Sequence, residues 1–347
     1  MSSRPTSLRK DEHVRINLEE DVSFDQMTTG LEHYRFIHQA VPECDLADVH
    51  TATDFLGHHL AFPLLIASMT GGTPWTGDIN RILAEAAQAA GIGMGLGSMR
   101  VILEEPDTAP TFQVRRYAPD ILLLANLGAI QLNYGYGPDE CRRLVELVEA
   151  DGLFLHLNPL QEALQPEGNT RFAGIVRRIA TVCQALEVPV IVKEVGAGLS
   201  AQAARQLVDA GVAALDVSGA GGTSWSQVEM HRGRDAVQRE VAAAFRNWGI
   251  PTAQSLQMVH QAAPDIPLIA SGGLQTGLDI AKVLALGADA TTMAGVLLEA
   301  AATSPQALYE RLEIIRRQLA ITMFVSGAPT ITRLKQTPLV TVGSSSV

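Results

Sequence analysis

Eight short apolar runs recur along the chain, and they restrict its fold more than any other feature. They lie at residues 62–67, 92–96, 121–125, 154–157, 188–192, 212–217, 266–270 and 289–293. Stretches with helical periodicity separate them. One carries Phe172, Ile175, Val176, Ile179, Val182, Cys183 and Leu186, an i, i+3, i+4, i+7 pattern that places its apolar residues on one face. Ser200 and Ser304-Pro305 mark helix starts, and Gly211 and Gly287 mark stops. Uninterrupted apolar strands alternating with helices belong to parallel sheets covered by helices. Eight such units over about 250 residues predict an α/β chain with a single (β/α)8 TIM barrel. A doubly wound sheet would need a glycine fingerprint, and no G-x-G-x-x-G occurs, even in the glycine-rich 91–97. The barrel is assigned to residues 61–335. Residues 1–60 form an N-terminal arm and extension, and 336–347 are expected to be a disordered tail. Val217 and Ile266 stand 49 positions apart, more than one barrel helix uses. An insertion after strand six is therefore predicted over the mouth, and it carries Trp225, Glu229, His231 and Arg232.

Composition narrows the class. The 347 residues are 47% hydrophobic and 18% charged, as in a globular chain with a large core. A formal net charge of −11 argues against nucleic acid, which needs clustered Lys and Arg. It leaves room for a small anionic substrate, which senses only the local field. Cys44, Cys141 and Cys183 are far apart with no C-x-x-C, so a reducing cytoplasm is expected rather than a disulfide frame or zinc site. The N-terminal residues lack the apolar core of a signal peptide. No apolar run approaches the ~20 residues of a membrane span.

In a barrel of this kind the carboxyl ends of the strands carry the chemistry. Here they are Ser68, Ser98, Asn126, His156, Lys193, Ser218 and Ser271. The densest end is Phe154 through Glu162, where a strand turns polar at His156 and Asn158, meets Pro159, and continues with Gln161 and Glu162. Residues 162–168 read as loop. Ser271-Gly272-Gly273 and Ala294-Gly295 follow strands seven and eight, the usual phosphate position of such barrels. Lys193 at a strand end would be costly in a barrel mouth without an anion. A reduced flavin supplies one, and a lysine paired with Glu194 is the bland alternative. Ser7 through His13 reads either as a solvated terminus or as an arm laying Arg9 and Lys10 over an anion.

Seven segments together resemble the type 2 isopentenyl diphosphate isomerases, FMN-dependent barrel enzymes. They are Arg9-Lys10-Asp11-Glu12-His13, Ala67 through Gly72, Gly97-Ser98-Met99-Arg100, His156 through Glu162, Val192 through Gly196, Asp216 through Trp225, and Ser271-Gly272-Gly273. The resemblance runs from Leu8 to about Leu298. It implies FMN held by Ser68, Met69, Thr70, Ser98, Asn126, Lys193, Ser218, Thr223, Gly272, Gly273, Leu274, Ala294 and Gly295. It further implies a prenyl diphosphate substrate contacted by Arg9, Lys10, Ser98, Arg100, His156, Asn158 and Gln161, with Mg2+ at Glu162. The implied reaction converts isopentenyl to dimethylallyl diphosphate by a proton shift with no net redox, with NADPH or another reductant keeping the flavin reduced. Gln161 and Glu229 are the protein groups expected beside the moving protons. A cytoplasmic homo-oligomer, tetramer or octamer, is implied as well. Gln275 stands where the family pattern has a basic residue, and the chain lacks the longer C-terminal ending. No cysteine falls at a strand end, so the Cys and Glu dyad of the unrelated type 1 isomerase is not evident. Two other readings remain open. An FMN-dependent 2-hydroxy acid oxidase would want a His and an Arg together at the mouth, for which only His231-Arg232 offers. A flavin-binding protein without turnover would show no substrate-dependent spectral change.

Overall fold

The structure is a computed structural model that describes residues 6–342, with side chains from residue 9 onward. Eight strands close into a barrel, each parallel to its neighbours. In chain order they are Leu64–Ile66, Gly93–Gly95, Leu123–Gly128, Gly152–His156, Val190–Lys193, Ala214–Asp216, Leu268–Ala270 and Ala290–Met293. Every apolar run of the sequence supplies one of them. The pleat sorts their residues into two cores. Leu65, Leu124, Phe154, Ile191 and Ile269 fill the barrel interior, while Leu64, Ile66, Leu123 and Val192 face the surrounding helices.

The helices form where capping chemistry starts them. Helix Pro74–Ala90 begins with proline in its first turn and a Thr73–Thr76 capping box, and ends at Gly91 in the left-handed region. Ser200 and Ser304 accept from the backbone N–H groups of Ala203 and Ala307 at the starts of Ala201–Asp209 and Pro305–Val325. The insertion after strand six is present. It holds helices Trp225–Arg232 and Ala236–Ala243 ahead of the barrel helix Thr252–Ala262.

The N-terminal extension carries regular structure, and only the C-terminal end differs from expectation. Helix Thr6–Glu19 reaches the mouth, and the hairpin of Thr53–Phe55 and His58–Leu60 puts Phe55 and Leu60 into the barrel's inner core. The expected disordered tail does not hold over 336–342. Leu339–Thr341 pairs antiparallel with Tyr34–Phe36, because three consecutive residues find an open strand edge in the N-terminal extension. Residues 343–347 lie outside the described part of the chain. Among the described residues no helix is long and apolar enough to cross a membrane.

Candidate active site

A buried polar belt lines the floor of the barrel mouth. Strand register sets it, since His156 pairs with Lys193 and Lys193 with Asp216 across three adjacent strands. On one side Asn126 Nδ2 donates to Leu96 O at 3.0 Å. That leaves its Oδ1 to accept from His156 Nδ1 at 2.9 Å. On the other side Asp216, fully buried, accepts from Ser271 Oγ and the Ser218 backbone N–H, with Thr292 Oγ1 at 3.5 Å. Between them Lys193 Nζ donates to the Glu194 carbonyl. Glu194 shapes the loop that follows by accepting three successive N–H groups, from Val195, Gly196 and Ala197.

Burial and crowding set the charges. Burial pushes Lys193 below the ordinary lysine value against the attraction of Asp216 and Glu194, and pushes Asp216 upward against the same lysine. Burial, then Lys193, then Lys10 push His156 down to about 3. It is therefore neutral near pH 7, with its Nδ1 proton directed at Asn126.

Helix Thr6–Glu19 completes the mouth. Lys10 Nζ donates to Ser98 O and lies 4.6 Å from the Phe112 ring centre. Burial and the neighbouring Arg9 bring its pKa down to about 7. Burial, then Arg100, lower that of Arg9, with Arg232 adding to the effect. Four cationic or titratable groups from three segments thus face one another in a chain of net charge −11. Glu162 and Glu167 offset part of this crowding at Arg9 and Glu105 part of it at Lys10, and an entering anion would relieve the rest. Arg100 also pairs with Glu104 at 2.6 Å along its own short helix. The helix is held down by Asp11 accepting from Thr73 Oγ1, by Asn17 accepting from Thr223 Oγ1, and by His13 edge-on to Trp225 at 5.3 Å.

The turn after strand four is helical over Pro159–Leu164, so the loop expected from 162 begins after Leu164. Pro159 sits in its first turn, where the missing N–H costs nothing. Here Asn158 Nδ2 donates to Gln161 Oε1 at 3.0 Å and to Glu162 Oε1 at 3.1 Å. Gln161 Nε2 donates to Glu229 Oε1 at 3.0 Å. Glu229 also lies 3.3 Å from His13 Nε2 and 2.6 Å from Arg232. Burial raises the Glu229 pKa, but His13, Arg232 and Gln161 outweigh it and hold the carboxyl below its usual range. Asn158 Oδ1 is buried without a partner.

Not every expected residue points into the mouth. Leu274 is buried in the outer core, and Met69 packs against that core. The Thr223 hydroxyl is engaged by Asn17. Gly272, at φ +99°, is needed for close packing against the Gly219 backbone. At Gly295 a side chain would meet nothing within 4 Å, so the start of helix Gly295–Thr303 is open. Gly95 is required because a Cβ there would lie 2.6 Å from Ser68 Oγ. A cavity of about 430 Å3 lined by His260, Ile266 and Asp289 lies at the opposite rim, away from all of these residues. The sequence reading assigned no role to Asp216 or His13. An acidic residue inside an otherwise apolar strand was the available signal for Asp216, and for His13 it was its place in the Arg9–His13 segment.

The residues fit a flavin phosphate and isoalloxazine. Ser68 Oγ and Thr70 Oγ1 are buried without partners beside the belt, among the described residues Lys193 donates its hydrogen bond to a backbone carbonyl, and the start of helix Gly295–Thr303 is open. They also fit a single-carboxylate magnesium site. Each Glu162 oxygen accepts one hydrogen bond and keeps a free lone pair, next to the unpartnered Asn158 Oδ1. Among the described residues no cluster of three or more His, Cys, Asp or Glu could form a full protein cage for a metal.

Fold and site define a flavin-dependent barrel enzyme. The sequence matches the FMN-dependent dehydrogenase family over residues 7–114 and 164–341. Among solved structures, a lactate oxidase from Pediococcus acidilactici superposes with a TM-score of 0.67 at 15% identity, covering 97% of this chain and 94% of that one. A mandelate oxidase superposes at 0.65 and 18% identity, covering 96% and 99%. Likeness at that level concerns the fold alone. The isopentenyl-diphosphate delta-isomerase of Nostoc sp. is 50% identical over 333 residues, covering 96% of this chain and 95% of its own. Those of Rickettsia rickettsii and Rickettsia bellii are 52% and 51% identical, covering 93% and 95% of this chain and 94% and 96% of their own. The chain belongs to the FMN-dependent, type 2 isopentenyl-diphosphate delta-isomerases.

Proposed function

We propose that the protein converts isopentenyl diphosphate to dimethylallyl diphosphate with reduced FMN and Mg2+, and that NADPH or another reductant keeps the flavin reduced. The observation that carries this reading is the meeting of Arg9, Lys10, Arg100 and His156 around one opening, beside Glu162 and above Lys193. Reduced FMN, when bound, supplies negative charge and a proton-transfer partner to the alkene. Lys193 would hold the anionic flavin, Ser68, Thr70, Ser98, Asn126 and Ser218 would contact its ring and ribityl chain, and residues 272–273 and 294–295 its phosphate. The basic groups and Asn158 would take the diphosphate, with Glu162 holding magnesium against it. Gln161 and Glu229 would flank the five-carbon chain. Their mutual hydrogen bond leaves them as the protein groups able to hold or relay a proton there. Seating of helix Thr6–Glu19 would exclude water. A homo-oligomeric, cytoplasmic protein is part of the same reading.

The oxidase alternative loses its candidate pair. Arg232 is engaged by carboxylates on three sides, and His231 lies 3.8 Å from Glu20. Arg232 is therefore not free to grip a hydroxy acid's carboxylate.

The decisive experiment counts electrons. Enzyme reduced once with dithionite, in the presence of FMN and Mg2+, is expected to form many product molecules per reducing equivalent. In heavy water the new methyl group is expected to gain deuterium. One equivalent consumed per product would remove the isomerase assignment.

Two further outcomes follow from the geometry. Glu162→Gln is expected to raise the magnesium concentration needed for half-maximal rate by roughly tenfold or more, leaving FMN content intact. An unchanged magnesium titration would show that another group binds the metal. Diphosphate affinity is expected to depend on pH through Lys10. Below its free-state pKa of about 7 the ammonium is present; above it, binding must take up a proton. Affinity is therefore expected to fall by up to ~10-fold per pH unit above pH 7, until the pKa of the bound state is reached. Calorimetry with isopentenyl diphosphate in buffers of different ionisation enthalpy reads this directly. A dissociation constant that stays flat from about pH 6.5 to 8.5, with no proton uptake, would remove Lys10 from the site.

A further inference from the structure

Arg232 ends the first helix of the insertion, and its side chain is only 8% exposed. Its guanidinium engages carboxylates from three segments. Nε lies 3.4 Å from Glu12 in the N-terminal helix. One terminal nitrogen lies 2.5 Å from Glu167, in the loop after strand four. The other lies 2.6 Å from Glu229, one helical turn back. A planar fork of donors suits such a junction, whereas a lysine offers a single point charge.

We propose that Arg232 is a positioning residue, a clasp that ties the N-terminal helix, the strand-four loop and the insertion together over the mouth and thereby sets the orientation of the Gln161 amide. The proposal rests on the isomerase reading for its catalytic consequence. The coupling runs through named contacts. Glu229 Oε2 faces Arg232, and Oε1 accepts from Gln161 Nε2. An ionised carboxylate only accepts, so the Gln161 NH2 must face Glu229. Its carbonyl is then turned to Asn158 Nδ2, at 3.0 Å. His13 of the N-terminal helix is the other titratable group facing Glu229, and its own burial opposes charging. Arg232 is thus the permanent positive charge that keeps Glu229 an acceptor. The same guanidinium holds Glu167 on the loop that Glu162 closes by accepting from the Asn169 N–H. Arm seating, loop closure and amide orientation therefore share one residue.

The test uses FMN-loaded enzyme and hydrogen exchange without substrate, followed by steady-state kinetics. Arg232→Met is expected to speed exchange by roughly tenfold or more in both residues 6–19 and 162–169, with FMN content unchanged. Its KM for isopentenyl diphosphate is expected to rise and its kcat to fall, each by about tenfold or more, and the acid limb of the kcat profile to move to higher pH as Glu229 loses its cation. Arg232→Lys is expected to restore the pH profile but not the exchange protection. If Arg232→Met does not fold, Glu12→Gln and Glu167→Gln decide the matter, since both carboxylates are partly exposed. Each is expected to loosen its own segment and raise KM. Unchanged exchange in both segments, or loosening confined to the insertion, would overturn the clasp. Wild-type enzyme that forms no product would overturn the isomerase reading, while the exchange result would still decide the clasp.

Discussion

Deleting residues 1–13 is expected to leave a folded barrel that binds FMN and has lost isomerase activity by about 10²- to 10⁴-fold. The size follows from two charge-assisted contacts to the diphosphate, from Arg9 and Lys10, at about 1.5–3 kcal/mol each. The fold should survive because, among the described residues, neither core takes a side chain before Val14, and Val14 and Leu18 of helix Thr6–Glu19 are retained. Flavin content by absorption, secondary structure by circular dichroism and product formation by acid lability check the three parts. Full activity in the truncated protein would mean that the basic groups at the helix start do not meet substrate.

Lys193→Ala carries the second large effect. Loss of a charge-assisted contact to the flavin costs about 2–3 kcal/mol, so FMN affinity is expected to fall roughly 30- to 150-fold. The reduced form should suffer more than the oxidised form, because it carries the negative charge that Lys193 meets. The flavin potential should therefore move downward. The substitution also leaves Asp216, fully buried, without its cation. Its pKa, already above the unfolded value, rises further. A raised carboxyl pKa withdraws stability as pH climbs above the unfolded value, so the variant should be least stable at neutral and alkaline pH. Lys193→Ala/Asp216→Asn should recover that stability and not the flavin affinity. An unchanged FMN dissociation constant in Lys193→Ala would place the flavin elsewhere.

The barrel was legible in the sequence because its signal is local and repeated. Runs such as 62–67 and 188–192 lack polar interruption, as strands covered on both faces do, and eight of them leave few other architectures. Strand ends were legible for the same reason: a change from apolar to polar at His156, Lys193 or Ser218 marks the point where a strand leaves the core. The insertion was legible as a spacing anomaly.

What the chain's order could not reveal was which ends meet. Asn126 and His156 are thirty positions apart and form one hydrogen bond because strands three and four run side by side in a set register. Asp216 stood out as an acidic residue in an apolar run, but nothing in the sequence said what it meets. Its neighbours Ser271, Thr292 and Lys193 come from three other strands or strand ends, and its burial among them pushes its pKa upward. Glu229 was expected beside the moving protons and Arg232 only as part of the insertion; the fold buries both by bringing Gln161, His13, Glu12 and Glu167 to them. The terminal residues Leu339–Thr341 resembled a loose end because the partner edge, Tyr34–Phe36, lies three hundred positions earlier. Sequence by itself determined the periodic elements, the side of the barrel that carries the chemistry and the kinds of groups present there. Tertiary structure decided their pairing, their burial and hence their charge, because hydrogen bonds and desolvation depend on neighbours in space that local periodicity does not encode.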